Sequence, residues 1–404
     1  MQPVNTKHIK EEKKIPTLRF HGFDGEWEVS KLSEKIKFLA GYAFKSEEML
    51  KEPSIFQLIK MSNVYKNELR LDRSPSYWKN LNTNQDRFLL RKGDVVLTLT
   101  GTVNKRDYGY SVIIPEDDKF LLNQRLVSLR KEESKSENGF IRQLVLTDHF
   151  YYYFFSNSKG GTGNQSNVSI EDLKNITLNL PSIPEQQKIA SFLFAVDQKI
   201  QQLTRKKELL ELFKKGVMQK IFSQEIRFHD ENGKDYSDWE EKRLGDVSYI
   251  TTGSSNRVDS ILDGEYSFFD RSEEIRTSNI YLFDAEAIIV PGEGQGFIPK
   301  YFNGKFDLHQ RTYAIMNFSN CSGKYLFYSI HYFRQYFLSQ AVGSTVKSLR
   351  LPMFKKMKIA LPSVAEQQKI ASFLSTIDDK ITEIDAQLEK SQTFKKGLLQ
   401  QMFV

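Results

Sequence analysis

The sequence predicts an α+β protein in which two mixed α/β, β-rich domains are each followed by a long helix. Three observations lead there. First, Leu180-Pro-Ser-Ile-Pro-Glu-Gln-Gln-Lys-Ile-Ala-Ser-Phe-Leu193 returns as Leu361-Pro-Ser-Val-Ala-Glu-Gln-Gln-Lys-Ile-Ala-Ser-Phe-Leu374. The offset of 181 residues (Glu185 to Glu366) holds without a gap to Phe222 and Phe403, so a structural unit is duplicated. Second, both copies continue with a 4-3 apolar spacing. It reads Ile189, Leu193, Val196, Ile200, Leu203, Leu210, Val217, Ile221 and then Ile370, Leu374, Ile377, Ile381, Ile384, Leu388, Leu398, Met402. That is the seam of a helix packed along another helix. Third, short alternating apolar runs among Gly, Asn and Asp turns fill the remaining chain.

Residues 1–16 are polar and basic and read as a flexible arm. The first domain, 17–179, begins with Leu18-Arg19-Phe20 and Trp27-Glu28. Within it, Asp94 to Gly101 reads as a strand region and Tyr151 to Phe155 as a buried strand or helix face. The spacer helix over 180–222 opens with Ser182-x-x-Glu185, read as a capping box with Pro184 in its first turn. At 1.5 Å per residue each long helix is on the order of 55–60 Å. Lys214 and Lys395 interrupt both seams, and Lys207 and Ser391 one each, which leaves open two shorter helices with a bend. The segment 223–360 repeats the lead-in as Ile226-Arg227-Phe228 and Trp239-Glu240, then carries the second domain. A second spacer helix occupies 361–404 behind Ser363-x-x-Glu366. The globular stretches differ in length, 153 residues from Trp27 to Leu180 against 122 from Trp239 to Leu361. Inside them matches are scattered, chiefly Gln124-Arg125 with Gln310-Arg311 and the returns Ile170 to Leu178 and Leu351 to Ile359.

The chain has 404 residues, enough for two or more domains, with Lys+Arg 58 against Asp+Glu 51 and a net charge of +7. That modest excess is compatible with a polyanionic partner. A single cysteine, Cys321, excludes a disulfide framework and fits a reducing cytoplasm. No apolar run is long enough for a membrane span, and the polar N-terminus has no signal-peptide core.

These motifs together resemble the specificity subunit of a type I restriction–modification system. The carriers are the paired Leu-Pro-x-x-x-Glu-Gln-Gln-Lys-Ile-Ala heads, the Trp-Glu lead-ins and Phe-Lys-Lys-Gly near each helix end, at Phe213 and Phe394. The resemblance covers the chain from about Thr17. It implies two target-recognition domains on helices packed as an antiparallel coiled coil with pseudo-twofold layout. It further implies a non-catalytic reader of a split double-stranded DNA site that docks two methyltransferase subunits and then restriction subunits. S-adenosylmethionine, ATP and Mg would be bound by those partners and none by this chain. An alternative, a single-chain restriction or modification enzyme, needs a cofactor-binding glycine motif with Asn-Pro-Pro-Tyr or an acidic metal cluster. Ser74-Pro-Ser76-Tyr77 lacks the amide or acid of the former, and Gly292-Glu-Gly294-Gln-Gly296 lacks the spacing of a dinucleotide turn. The six histidines show no metal-ligand spacing.

Basic and amide side chains on predicted loops are the candidates for DNA contact, through phosphates, guanine or adenine. In the first domain they are Lys105, Arg106, Arg125, Lys159, Asn164 and Gln165, with Tyr108 beside them. In the second they are Arg271, Gln295, Lys300, Arg311, Lys347 and Arg350. Gly160 to Gln165 and Gly343 to Arg350 are loops suited either to simple connection or to a nucleic-acid backbone. The Gln-Arg pairs serve either as base readers or as framework, and their presence in both domains favours framework with phosphate contact. The spacer and subunit-interface candidates are Glu185, Gln186, Gln187, Ile189, Leu193 and Ile200, with Glu366, Gln367, Gln368, Ile370, Leu374 and Ile381.

Overall fold

A computed structural model describes residues 14–160 and 164–404. Most of the N-terminal arm, 1–13, and the centre of the glycine loop, 161–163, lie outside the described residues. Residues 14–16 are tied down, since the Trp27 N–H donates to the Lys14 carbonyl at 2.8 Å. The chain forms two compact units, one running to Leu203 and including Gln387–Val404, the other Thr204–Ala386. This partition differs from the sequence-based one, because each long helix is divided between the two units.

In the first unit, Glu28–Lys31 pairs antiparallel with Thr177–Leu180, the strand that leads directly into the first long helix. An antiparallel sheet follows in the order Ile36–Ala40, Leu126–Lys131, Val95–Thr98, Ser111–Ile113. A smaller sheet sets Phe120–Leu122 parallel to Phe56–Ile59. Val95 to Thr98 is buried on both faces, which explains its unbroken apolar run. Val95 and Leu97 pack with Phe140, Ile141 and Leu144 on one side, and Val96 with Ile59 and Leu90 on the other.

The second unit repeats this plan. Glu240–Arg243 pairs antiparallel with Lys358–Leu361, just before the second long helix. A six-stranded sheet runs Tyr249–Thr252, Thr312–Met316, Phe283–Pro291, Lys300–Leu308, Tyr266–Phe269, Arg276–Ser278. Here too one pair is parallel, Tyr266–Phe269 against Lys300–Leu308. Ile288 and Val290 face the helical side, while Ala287 and Ile289 face the opposite core. In each unit a glycine sits at a crowded point just before the Gln-Arg turn, one register position apart in the two units. A Cβ on Gly41 would lie 1.9 Å from the Asn123 carbonyl oxygen, and one on Gly253 1.7 Å from that of Leu308. These strand ends press against the turn carrying Gln124-Arg125 or Gln310-Arg311.

The helices are continuous, Ile183–Phe222 over 40 residues and Val364–Met402 over 39, so the seam interruptions do not split either into two shorter helices. In the first unit Ile189 and Leu193 pack with Leu398, Met402 and Phe403. In the second, Ile370, Leu374 and Ile377 pack with Met218, Ile221 and Phe222. Burying each such side chain contributes on the order of 2 kcal/mol. The lysines in the seam are ion-paired. Lys395 meets Asp197 at 2.5 Å in the first unit; in the second, Lys214 meets Asp378 at 2.5 Å and Lys207 meets Asp385 at 2.6 Å. Numbering rises on one helix as it falls on the other, so within each unit the helical segments run antiparallel. The first two pairs are each other's counterparts at the offset of 181 residues. Burial pulls the Lys395 amine below its ordinary value, against the opposing pull of Asp197.

Candidate nucleic-acid interface

The helix heads are where the repeated motif meets each domain. Arg19 grips Glu185 through two hydrogen bonds of 2.8 Å, from Nε and Nη2. Arg227 grips Glu366 the same way, at 3.2 and 2.8 Å. Both carboxylates are shielded from water, with side chains 2 % and 0 % exposed. This corrects the capping-box reading: the Ser363 hydroxyl does accept the Glu366 N–H at 3.3 Å, but each glutamate reaches across to an arginine of the lead-in. The following glutamine fastens the domain. The Gln186 amide oxygen accepts the Glu137 N–H at 3.1 Å and that of Gln367 the Ser322 N–H at 2.8 Å. Their amide nitrogens donate to the carbonyls of Pro181 and Pro362.

Glu185, Gln186, Glu366 and Gln367 are therefore spent inside their own unit and do not present a surface to a partner. Ile189, Leu193, Ile370 and Leu374 are buried in the seam, Ile200 and Ile381 partly so. Gln187 and Gln368 are exposed.

At the far end of the first domain several candidates converge. Thr100–Thr102 pairs with Gln165–Asn167, and the Val103 N–H donates to the Asn164 carbonyl at 3.1 Å. Lys105, Arg106, Asn164 and Gln165 are thus brought to one exposed edge. The Asp107 carboxylate accepts from the Thr102 N–H and hydroxyl, both at 2.7 Å, which closes the turn. Burial would raise the Asp107 carboxyl; the Thr102 hydrogen bonds outweigh it and hold the group below its ordinary value. The Arg106 guanidinium lies 5.1 Å from the Phe155 ring centre. Lys159 is exposed and pairs with Asp172 at 3.0 Å. Arg125 is exposed in its turn at φ +68°, with its carbonyl accepting the Leu99 N–H. Tyr108 does not belong to this surface. It is 3 % exposed, and its hydroxyl bonds Ser158 and Ser166 beneath Gly101.

In the second domain the candidates gather around residues 291–296. The Arg311 Nη1 donates to Glu293 at 2.7 Å and the Arg271 Nη1 to the same carboxylate at 3.2 Å. The Gly294 N–H donates to the Lys347 carbonyl at 3.0 Å, and the Leu349 N–H to that of Gly292 at 2.8 Å. Gln295, Lys347 and Arg350 are exposed here. Lys300 is instead an internal brace, its amine donating to the Ser272 carbonyl at 2.7 Å and lowered by burial.

Sequence reasoning missed two features. The hairpin Val64–Tyr65/Glu68–Leu69 turns through Lys66 and Asn67, both at positive φ, and Arg73 stacks 4.4 Å from the Tyr65 ring. The available signal was the two-residue Lys66-Asn67 turn, with asparagine in it, between Val64-Tyr65 and Glu68-Leu69. In the second domain Val258 and Leu262 are 88 % and 90 % exposed, on a loop joined to the Gln310 turn through Asn256 at 2.5 Å.

Among the described residues no cluster of His, Cys, Asp or Glu has the form of a metal site. No helix among them is long and apolar enough to cross a membrane.

Comparison with known proteins follows this geometry closely. The family model described as type I restriction modification DNA specificity domain matches twice, over residues 24–212 and 236–391. The chain belongs to the type I restriction–modification DNA specificity family. Each match spans one globular domain and much of the helix behind it. The specificity subunit of the EcoDI type I enzyme of Escherichia coli is 31 % identical over 158 residues, 39 % of this chain and 35 % of that protein. The MjaVIII specificity subunit of Methanocaldococcus jannaschii is 24 % identical over 93 % of this chain and 91 % of its own length. The crystal structure of a type I restriction–modification S subunit from M. genitalium superposes with a TM-score of 0.68. It covers 96 % of this chain and 99 % of that one at 16 % identity, a likeness of fold. In this specificity chain the repeated helix heads are framework, and the two domains differ in their sheets and in their outer turns.

Proposed function

We propose that the chain reads an asymmetric, interrupted double-stranded DNA site, one half with each globular domain, and carries out no chemistry itself. In this reading two methyltransferase subunits and then restriction subunits assemble on it in the cytoplasm, and they bind S-adenosylmethionine, ATP and Mg. The observation that carries the reading is the pairing of like junctions with unlike outer turns. Two frames held by the same Arg–Glu–Gln contacts end in differently built sets of exposed Lys, Arg, Asn and Gln. Phosphate contacts would set the register, and side chains at base edges would select sequence. A reader with two different heads selects a site without symmetry, whereas two identical heads would select a palindrome.

Mapping of methylated adenines in cells with and without this chain, with its methyltransferase partner present, tests the proposal. One interrupted motif should be modified only when the chain is present. The purified chain alone should neither methylate nor cut DNA. Methylation independent of the chain, or at an uninterrupted palindrome, would contradict the reading.

A further inference from the structure

The Gln-Arg turn is held by matching backbone hydrogen bonds in both domains, but Arg125 is at φ +68° and Arg311 is not at positive φ, and the side-chain setting differs as well. The Gln124 and Gln310 N–H groups donate to the Tyr42 and Ser255 carbonyls, and the Arg125 and Arg311 carbonyls accept from Leu99 and Gly292. The side chains then part company. Among the described residues, Arg125 has no carboxylate within ion-pair distance, whereas Arg311 shares Glu293 with Arg271. Glu293 is mostly buried at 15 % side-chain exposure, while Arg311 and Arg271 keep 59 % and 52 %. Each arginine gives one Nη to the carboxylate and leaves its remaining donors to the surface. Arg311 is also fixed from behind, its N–H donating to His309 Nδ1 at 3.0 Å and its carbonyl accepting the Gly292 N–H at 2.9 Å. Space lies in front of the turn: a Cβ on Gly294, at φ +134°, would meet nothing within 4 Å.

We infer that Arg271 and Arg311, braced by Glu293, form a guanine-reading fork, so that the half-site of the second domain contains a G·C pair read in the major groove. The inference rests on the DNA-reading function proposed above. Three considerations separate it from a phosphate clamp. The carboxylate between the two guanidinium groups offsets one of their two charges and would face a phosphate oxygen with like charge. A braced guanidinium presents a pair of donors at fixed spacing, which fits the O6 and N7 acceptors of guanine. Bracing also removes rotamer freedom before binding, an advantage for a directional contact. The neighbouring exposed Lys347, on the segment that accepts the Gly294 N–H, suits the phosphate. Because the first domain has the turn without the brace, the fork is a feature of selection rather than of the common frame.

The test uses the chain in complex with its methyltransferase, with duplexes carrying the mapped motif. Each guanine of the half-site assigned to the second domain is replaced singly by 7-deazaguanine, which lacks the N7 acceptor, and binding is measured by competition. One position should cost the unaltered complex about 5- to 10-fold. Arg311→Lys, which keeps the charge and loses the fork, should bind the natural motif about 10-fold less tightly and be indifferent to 7-deazaguanine there. Glu293→Gln should show the same loss of discrimination in smaller measure. A half-site without a G·C pair, or no sensitivity to 7-deazaguanine at any position, would overturn the inference. So would a variant that weakens all sequences equally and lowers the salt slope by about one, the behaviour of a phosphate contact. If the unaltered complex selected no motif at all, the DNA-reading function itself would fail, an outcome distinct from each of these.

Discussion

Arg19 and Arg227 hold Glu185 and Glu366 in the same two-point grip, yet Arg125 and Arg311, at matching turns of the two sheets, stand in different surroundings. The contrast shows what the duplication has kept. A buried carboxylate that loses its guanidinium is costly, so the junction tolerates little change. An exposed turn has no such constraint, and it can diverge in side chains and in local conformation while the hydrogen bonds that anchor it are kept.

The largest effects are expected where the units are alike. Glu185→Ala and Glu366→Ala each leave a shielded arginine without its partner and should cost about 3–5 kcal/mol in urea unfolding. Both losses should fall in this range, with the larger at Glu366, which also accepts the Trp239 Nε1–H at 3.2 Å, while among the described residues the Trp27 Nε1–H has no partner. A large loss at one junction and none at the other would break the equivalence. The next effect lies in the helix seam. Asp197→Asn and Asp378→Asn weaken the pairs with Lys395 and Lys214, and also the contacts that Gln143 and Tyr328 make to these carboxylates at 2.8 and 2.7 Å. Each should destabilise by about 1.5–3 kcal/mol in the same measurement. Equal losses would sharpen the comparison by showing that the repeated pair does the same work in both units.

The smallest effect belongs to one domain alone. Burial, with Arg271 and Arg311 nearby, pulls His309 below its ordinary value of 6.5 against the opposing pull of Asp270 and Glu293. On acidification the unfolded chain therefore takes up this proton first. The contribution of His309 to stability is intact above pH 6.5 and is lost as pH falls from there through the folded value. In the first domain Asn123 occupies the corresponding place and accepts the Gln124 N–H at 2.8 Å without titrating. His309→Asn should flatten this part of the pH–stability curve in urea titrations. A curve unchanged by the substitution would contradict the assignment.

The helices, their seams and the doubled plan were legible because periodicity and repetition are local properties of sequence. Even the lysines breaking the seam were visible, though their meaning was not, because Asp197 and Asp378 lie on the opposite helix segment and only antiparallel packing brings them together. The role of Glu185 was hidden for the same reason, its arginine lying 166 residues earlier. A local capping motif was the nearer explanation, and tertiary contact overrode it. Tyr108 was misread because Lys105-Arg106-Asp107 reads as an exposed loop; Gly101, with no side chain, lets the ring tuck beneath the strand. The brace on Arg311 required knowing that the turn at Glu293 folds back against the Gln-Arg turn, a register that no spacing reveals.

Exchange of residues 27–170 for the corresponding segment of another specificity subunit, followed by mapping of methylated adenines, tests the central claim most directly. The account predicts that one half of the motif changes while the other half is retained. A change in both halves, or in neither, would contradict it.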